Sequence, residues 1–180
     1  MAIRMGFPAG IALALEQTCI RFGIDTALRV SHFLGQVAHE SALGRYMEEI
    51  ASGRAYEGRA DLGNTQPGDG VRFKGRGLIQ LTGRFNYTLY SQRIHGDHRA
   101  VHDPGMVARL PDAALAAGWY WHTKGINTQA DADDVRAVTR RVNGGYNGLE
   151  DRELRTAHAQ RLYAEMVQGA GNGHGGREER

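Results

Sequence analysis

Apolar residues recur at helical spacing near the start of the chain. Ile11, Leu15, Thr18, Cys19 and Phe22 fall on one stripe and predict a first helix over residues 9–22, stopped by Gly23. Asp25 or Thr26 can cap a second helix running to about Ala42, whose inward stripe is Val30, Phe33, Leu34, Val37 and Ser41. The pattern breaks over residues 44–82, where Gly44, Gly53, Gly58, Gly63, Gly68, Gly70, Gly75, Gly77 and Pro67 argue against continuous helix. The run 66–70 (Gln-Pro-Gly-Asp-Gly) predicts a turn that could join two short strands, and 78–82 closes the region. Helical periodicity returns at about 84–94, 111–123, 132–142 and 150–167. Asp112, Asp131 and Glu150 stand near the starts of the last three, where negative charge favours the helix dipole. With neither an internal repeat nor a linker, the pattern predicts one mainly α domain over residues 1–168 and a loose tail over 169–180.

Composition narrows the class. Hydrophobic residues at 41% and charged residues at 23% of 180 fit a globular chain rather than a disordered one. Lys74 and Lys124 are the sole lysines, so a net charge of +2 rests on arginine, which binds carboxylate and phosphate in two-point fashion. That suits an anionic polymer such as a bacterial wall or a nucleic acid, and charge alone does not choose between them. Cys19 is the single cysteine, which excludes an intramolecular disulfide and a zinc site built on several thiolates. The mildly apolar stretch 6–15 is short and runs into Glu16; it reads as a core helix rather than a signal peptide or a membrane span.

The chemistry begins at Glu40. A rotation of 100° per residue puts it about 20° from Phe33 and about 60° from Val37, on the core side of the second helix. Partial desolvation there should raise its pKa, which suits a general acid; a helix-end glutamate bonded to a nearby arginine is the plainer alternative. Glycosidic cleavage needs a second carboxylate, and Glu48, Glu49, Glu57 and Asp61 all lie in the glycine-rich stretch. Other motifs fail. His39-Glu40 opens like a metalloprotease HExxH, but position 43 is leucine, so His39 is expected to hydrogen-bond locally. Gly70 to Gly75 opens like a phosphate loop, but Arg76-Gly77 stands in place of Lys-Ser/Thr. His95, His98 and His102, with Asp97 and Asp103, read as surface loop histidines rather than metal ligands. Of Trp119, Tyr120 and Trp121, Trp121 continues the Leu110, Ala114, Ala117 spacing into the core.

Several blocks occur in order: Ala38-His39-Glu40-Ser41; Tyr56-Glu57-Gly58-Arg59; the run 73–82 (FKGRGLIQLT); Asn86-Tyr87; Val142-Asn143-Gly144-Gly145; and Asp151-Arg152. Together they resemble glycoside hydrolase family 19, the plant-type chitinases and related phage endolysins, over roughly residues 30 to 165. The segment 56–77 resembles the endolysin branch. The resemblance implies a lysozyme-like two-lobed helical fold with a small Gly-rich loop or β-hairpin region, and an inverting two-carboxylate mechanism. It implies Glu40 as the acid, Glu57 as the base and Thr82 as the holder of the attacking water. Gln80, Asn86 and Asn143 match sugar-contacting positions, and Arg152 an arginine near the acid. The loop after Glu57 is shorter than in plant chitinases, so Glu48 or Glu49 stays open as the second carboxylate.

The expectation is therefore a peptidoglycan hydrolase of lysozyme type cutting β-1,4 bonds, its two carboxyls roughly 6.5–9.5 Å apart. It would be monomeric, free of cofactor and metal, and bind bacterial peptidoglycan rather than nucleic acid or membrane. It would be made in the bacterial cytoplasm without a cleavable signal and reach the wall after release. A chitinase of the same family, or a non-catalytic wall-binding module, are the alternatives. Arg54, Arg59, Arg72, Arg76 and Arg84 would either line the cleft and attract stem-peptide carboxylates or pair with nearby acids to hold the loops.

Overall fold

A computed structural model describes residues 1–172. Nine α-helices run through them: α1 (Ala9–Arg21), α2 (Ala27–Glu40), α3 (Asp69–Arg72), α4 (Arg84–His95), α5 (Arg99–His102), α6 (Asp112–Thr123), α7 (Asn127–Asp131), α8 (Val135–Asn143) and α9 (Leu149–Asn172). Short 3₁₀ turns lie at Arg54–Tyr56, Ala60–Leu62 and Pro104–Ala108. Of the two residues offered as a cap for α2, Thr26 serves: its side chain accepts from Arg29 N at 3.2 Å. No described helix is long and apolar enough to cross a membrane.

Two apolar clusters form the core. The larger joins α1, α2, α7, α8 and α9 through residues such as Leu15, Phe33, Val37, Ile126, Val138 and Ala159. The smaller gathers Phe73, Leu81, Tyr87, Tyr90, Val107 and Trp119 around α4. Helix α6 serves both lobes. Ala114, Ala117 and Trp121 face the larger cluster, while Ala116 and Trp119 face the smaller. Both tryptophans are thus core residues, and Trp121 stacks edge-on against Phe33. Helices α2 and α9 pack backbone to backbone: a side chain at Gly35 would lie 3.0 Å from the Thr156 main chain.

The glycine-rich region departs from expectation. The turn at 66–70 leads into the helical turn α3, not into a strand, and the strand-like pairing consists of isolated bridges, Glu48 with Arg76 and Arg76 with Leu81. Asp69 itself starts α3, and its side chain, which accepts from Gln66 N, closes the turn. The helix expected at 132–142 begins only at Val135, with Asp134 as its cap; Asp131 ends the separate short helix α7 and pairs with Arg29. Helix α9 continues through the first residues of the expected 169–180 tail, and residues 173–180 lie outside the described residues.

Candidate active site

Glu40 is the last residue of α2. The helix stops because Ser41 turns back, its Oγ donating to Val37 O and accepting from Gly44 N, and because Ala42 and Leu43 take left-handed φ values of 47° and 61°. A carboxylate at a helix C-terminus opposes the helix dipole and needs a cation. Arg152, fully buried on α9, supplies it: Nη2 donates to Glu40 Oε1 at 2.6 Å, Nη1 to Gln36 Oε1 at 2.6 Å, and Nε to Asn147 O at 3.0 Å. Gln36 in turn donates to Thr139 on α8 at 3.1 Å. Among the described residues Glu40 Oε2 has no partner, and 16% of the side chain is exposed, so one oxygen is free to meet a ligand. The inward carboxylate that helix periodicity implies thus meets a guanidinium, not an apolar wall.

A further layer stands behind this pair. His39 Nδ1 lies 2.6 Å from Asp151 Oδ2, which also accepts from Arg155 Nε at 2.6 Å. Burial works to raise the Asp151 carboxyl, but the Arg155 and His39 hydrogen bonds outweigh it and hold the group below its ordinary value. The partner of His39 is therefore remote in sequence, not local. Gly148 packs against the His39 ring with no room for a side chain, which brings the 143–148 loop onto the end of α2. Tyr120 on α6 is close enough that burial, and then the charge of Glu40, raise its phenol.

The second group of polar residues comes from the glycine-rich layer. Glu49 N donates to Gly75 O, and Glu49 Oε2 accepts from Gly75 N at 3.0 Å while Oε1 accepts from Tyr56 Oη at 3.1 Å. A side chain at Gly75 would stand 2.8 Å from Gln80 Oε1 and 3.2 Å from Glu49 Oε2, so these two groups share the space above one glycine. Gln80 has φ 56°, uncommon for a residue with a side chain, and Nε2 donates to Tyr46 O and Gly77 O. Thr82 Oγ1 donates to Gln80 O, and Asn86 Nδ2 to Thr82 O, both at 2.8 Å. Because Tyr46 N donates to Ser41 O, this row is tethered to the end of α2 beside Glu40.

Glu57 sits differently. Its Oε1 accepts from Gly68 N at 2.6 Å and its Oε2 from Gly70 N at 2.8 Å, so both oxygens hold the turn before α3. Glu48 forms ion pairs with Lys74 at 3.0 Å and Arg76 at 3.4 Å; the Lys74 hydrogen bond above all keeps its carboxyl below the ordinary range. Asn143 ends α8 with an exposed side chain. The arginines of the stretch are mostly taken: Arg59 pairs with Asp61, Arg84 with Asp69 and Arg76 with Glu48, while Arg72 donates to the carbonyls of Val101 and His102. They hold loops together. His95 bonds Asp112 and His98 lies against Gln92; no group of metal-ligating side chains occurs among the described residues. An apolar hollow of about 480 Å³, lined by Ala12, Leu15, Cys19, Ile24 and Leu34 among others, holds none of the candidate residues.

Sequence reasoning missed Gln36 and Thr139, and it gave no role to Tyr120 or to the Asp151 of the Asp151-Arg152 block. Gln36 had a signal, since it lies one turn before Glu40 on the same helix face. Asp151 adjoins Arg152 in the quoted block, while Tyr120 and Thr139 are brought in by tertiary packing.

Comparison with known proteins gives a consistent result. No family model matches the chain. It is 35% identical over 104 residues to a glycosyl hydrolase family 19 domain-containing protein of Haemophilus influenzae, covering 58% of this chain and 49% of that protein. It is 37% identical over 133 residues to an endochitinase of Arabidopsis thaliana, covering 73% of this chain and 45% of that one. The chain thus spans about half the length of the curated relatives it matches. Its fold is shared with chitinase C from Streptomyces griseus (TM-score 0.70, 20% identity, 89% of this chain and 74% of that one) and with a class IV chitinase from Zea mays (TM-score 0.66, 20% identity, 91% and 83%).

Proposed function

Starting from this chain's place in glycoside hydrolase family 19, with plant-type chitinases among its relatives, we propose that it hydrolyses β-1,4 glycosidic bonds of peptidoglycan with inversion. The observation that carries the proposal is Glu40, held through one oxygen by buried Arg152 and free at the other. The free oxygen carries the proton to the leaving glycosidic oxygen as the C–O bond breaks. Arg152 stabilises the carboxylate that this leaves behind, an interaction stronger in the transition state than in the ground state.

The attacking water needs a base on the opposite face of the sugar. Of the three open carboxylates, Glu49 fits best. Glu57 is engaged by two backbone amides of a turn, and Glu48 by two cations. Glu49 instead shares its space with Gln80, accepts from Gly75 N and Tyr56 Oη, and keeps lone pairs for a water. Thr82, whose hydroxyl hydrogen is committed to Gln80 O, offers lone pairs to orient that water. The water oxygen bonds the anomeric carbon, its proton passes to Glu49, and solvent resets both carboxyls. Gln80, Asn86 and Asn143 supply amides for sugar hydroxyls.

Peptidoglycan is chosen over chitin because the segment 56–77 resembles the endolysin branch. The second reading, a chitinase, is favoured by the printed names of the relatives and structural neighbours. Mass spectrometry of digests of purified peptidoglycan and of chitin oligomers decides. Muropeptides with new reducing ends support the proposal; cleavage of chitin alone makes the protein a chitinase; binding to either polymer without cleavage makes it a wall-binding module.

A further inference from the structure

Four of the five arginines of the glycine-rich layer are held by loop contacts; on α8, Arg141 Nη1 donates to Lys124 O at 2.8 Å, while the Arg136 and Arg140 side chains make no hydrogen bond among the described residues. Arg136, Arg140 and Arg141 are exposed, and among the described residues none has a carboxylate partner. On a helix, Arg136 lies about 20° and Arg140 about 60° around the axis from Asn143, so all three share one face. The Arg136 guanidinium lies 4.9 Å from the centre of the Tyr146 ring, and 47% of Tyr146 is exposed. The ring braces the guanidinium, whose N–H groups have no hydrogen-bond partner among the described residues, and a guanidinium can take a carboxylate in two-point fashion. Asp134, the acid nearest in sequence, is engaged as the cap of the N-terminal end of α8, where Arg136 lies, and accepts from Ala137 N. The same loop that carries Tyr146 ends at Gly148 against His39, so this cationic face adjoins the Glu40 end of the site.

We propose that Arg136 and Arg140, with Arg136 braced on Tyr146, form a docking face for the stem-peptide carboxylates of a peptidoglycan strand running past Asn143. The inference rests on the peptidoglycan reading above. A stem hangs from alternate sugars of that strand, so its carboxylates flank any bound glycan; a chitin chain offers this face nothing.

The test uses full-length protein with Glu40→Gln to separate binding from cleavage. Co-sedimentation with teichoic-acid-free sacculi is measured with and without the added pair Arg136→Gln and Arg140→Gln, at low salt, before and after carbodiimide amidation of the wall carboxyls. Two partly screened ion pairs are expected to give about a 3- to 10-fold loss of affinity in the double variant. Amidation should cause the same loss in the parent and no further loss in the variant, and salt should erase the difference. Unchanged binding by the double variant, or a loss that persists on amidated walls, overturns the proposal. A difference seen only with sacculi that retain teichoic acid assigns the face to phosphate and also overturns it. Charge-dependent binding by a protein whose wild type cleaves no sacculi would sink the hydrolase reading alone.

Discussion

The two halves of the candidate site are built by opposite means. Around Glu40 the scaffold is regular helix: α2 and α9 meet backbone to backbone at Gly35 and Thr156, and one buried arginine ties their facing residues together. In the layer from Gly44 to Gly83 almost no regular structure exists, and side chains do the work of a ladder. Glu57 holds the amides of Gly68 and Gly70, Asn64 spans Tyr56 O and Arg84 N, and Asp69 takes both Arg84 and the Gln66 amide. In a layer of this kind a polar residue in a loop is as readily scaffold as site. That is why Glu57 and four of the five arginines, all plausible cleft residues in sequence, are engaged elsewhere.

The largest structural effect is expected in the helical half. Arg152→Ala would strand Glu40 and Gln36 without their partner, costing about 3–5 kcal/mol. Denaturant unfolding checks this, and Arg152→Lys should restore little because an ammonium cannot reproduce three separately directed contacts. A loss under about 1 kcal/mol, the scale of an exposed ion pair, would mean this pair is not what joins α2 to α9.

In the loop half, Glu57→Gln and Glu49→Gln separate scaffold from chemistry. Glu57→Gln should lower stability by about 1 kcal/mol, since one backbone amide loses its acceptor, and leave most hydrolysis intact. Glu49→Gln should leave stability nearly unchanged and reduce turnover on the cleaved polymer by about 10² or more. The reverse pattern would return the role of base to Glu57.

The smallest expected effect is an acid limb. Asp69 is buried, and the Arg84 hydrogen bond holds its carboxyl below the ordinary value of 3.8. A folded pKa below the unfolded one stabilises the fold at pH above the unfolded value, and that contribution disappears as pH falls through the folded value. Thermal melts should therefore fall below about pH 4, and Asp69→Asn should flatten that limb while lowering the plateau. An unchanged acid limb in the variant would assign it to other carboxylates.

The same contrast explains how far the fold was legible in sequence. Periodicity located α1, α2, α4, α6 and the long α9, because each buries a stripe against one of the two clusters. It missed α5 and α7, which are about a turn long and too short to show a period. It suggested a hairpin where α3 forms, because the turn residues at 66–70 signal a reversal of the chain but not whether a strand or a helix comes after it. Helix geometry turned Glu40 inward, and the motif resemblance put Arg152 beside it. The pairs Gln36 with Thr139, buried, and His39 with Asp151, partly exposed, join residues more than 100 positions apart, beyond the reach of any local pattern.

The account turns on Glu40 as the acid. The direct measurement is the rate of new reducing ends released from purified sacculi and chitin oligomers by Glu40→Gln, with circular dichroism confirming a native fold. The expected result is a loss of about 10²-fold or more on whichever polymer the wild type cleaves. A folded Glu40→Gln protein that cleaves at a rate near wild type would contradict the assignment and the mechanism built on it.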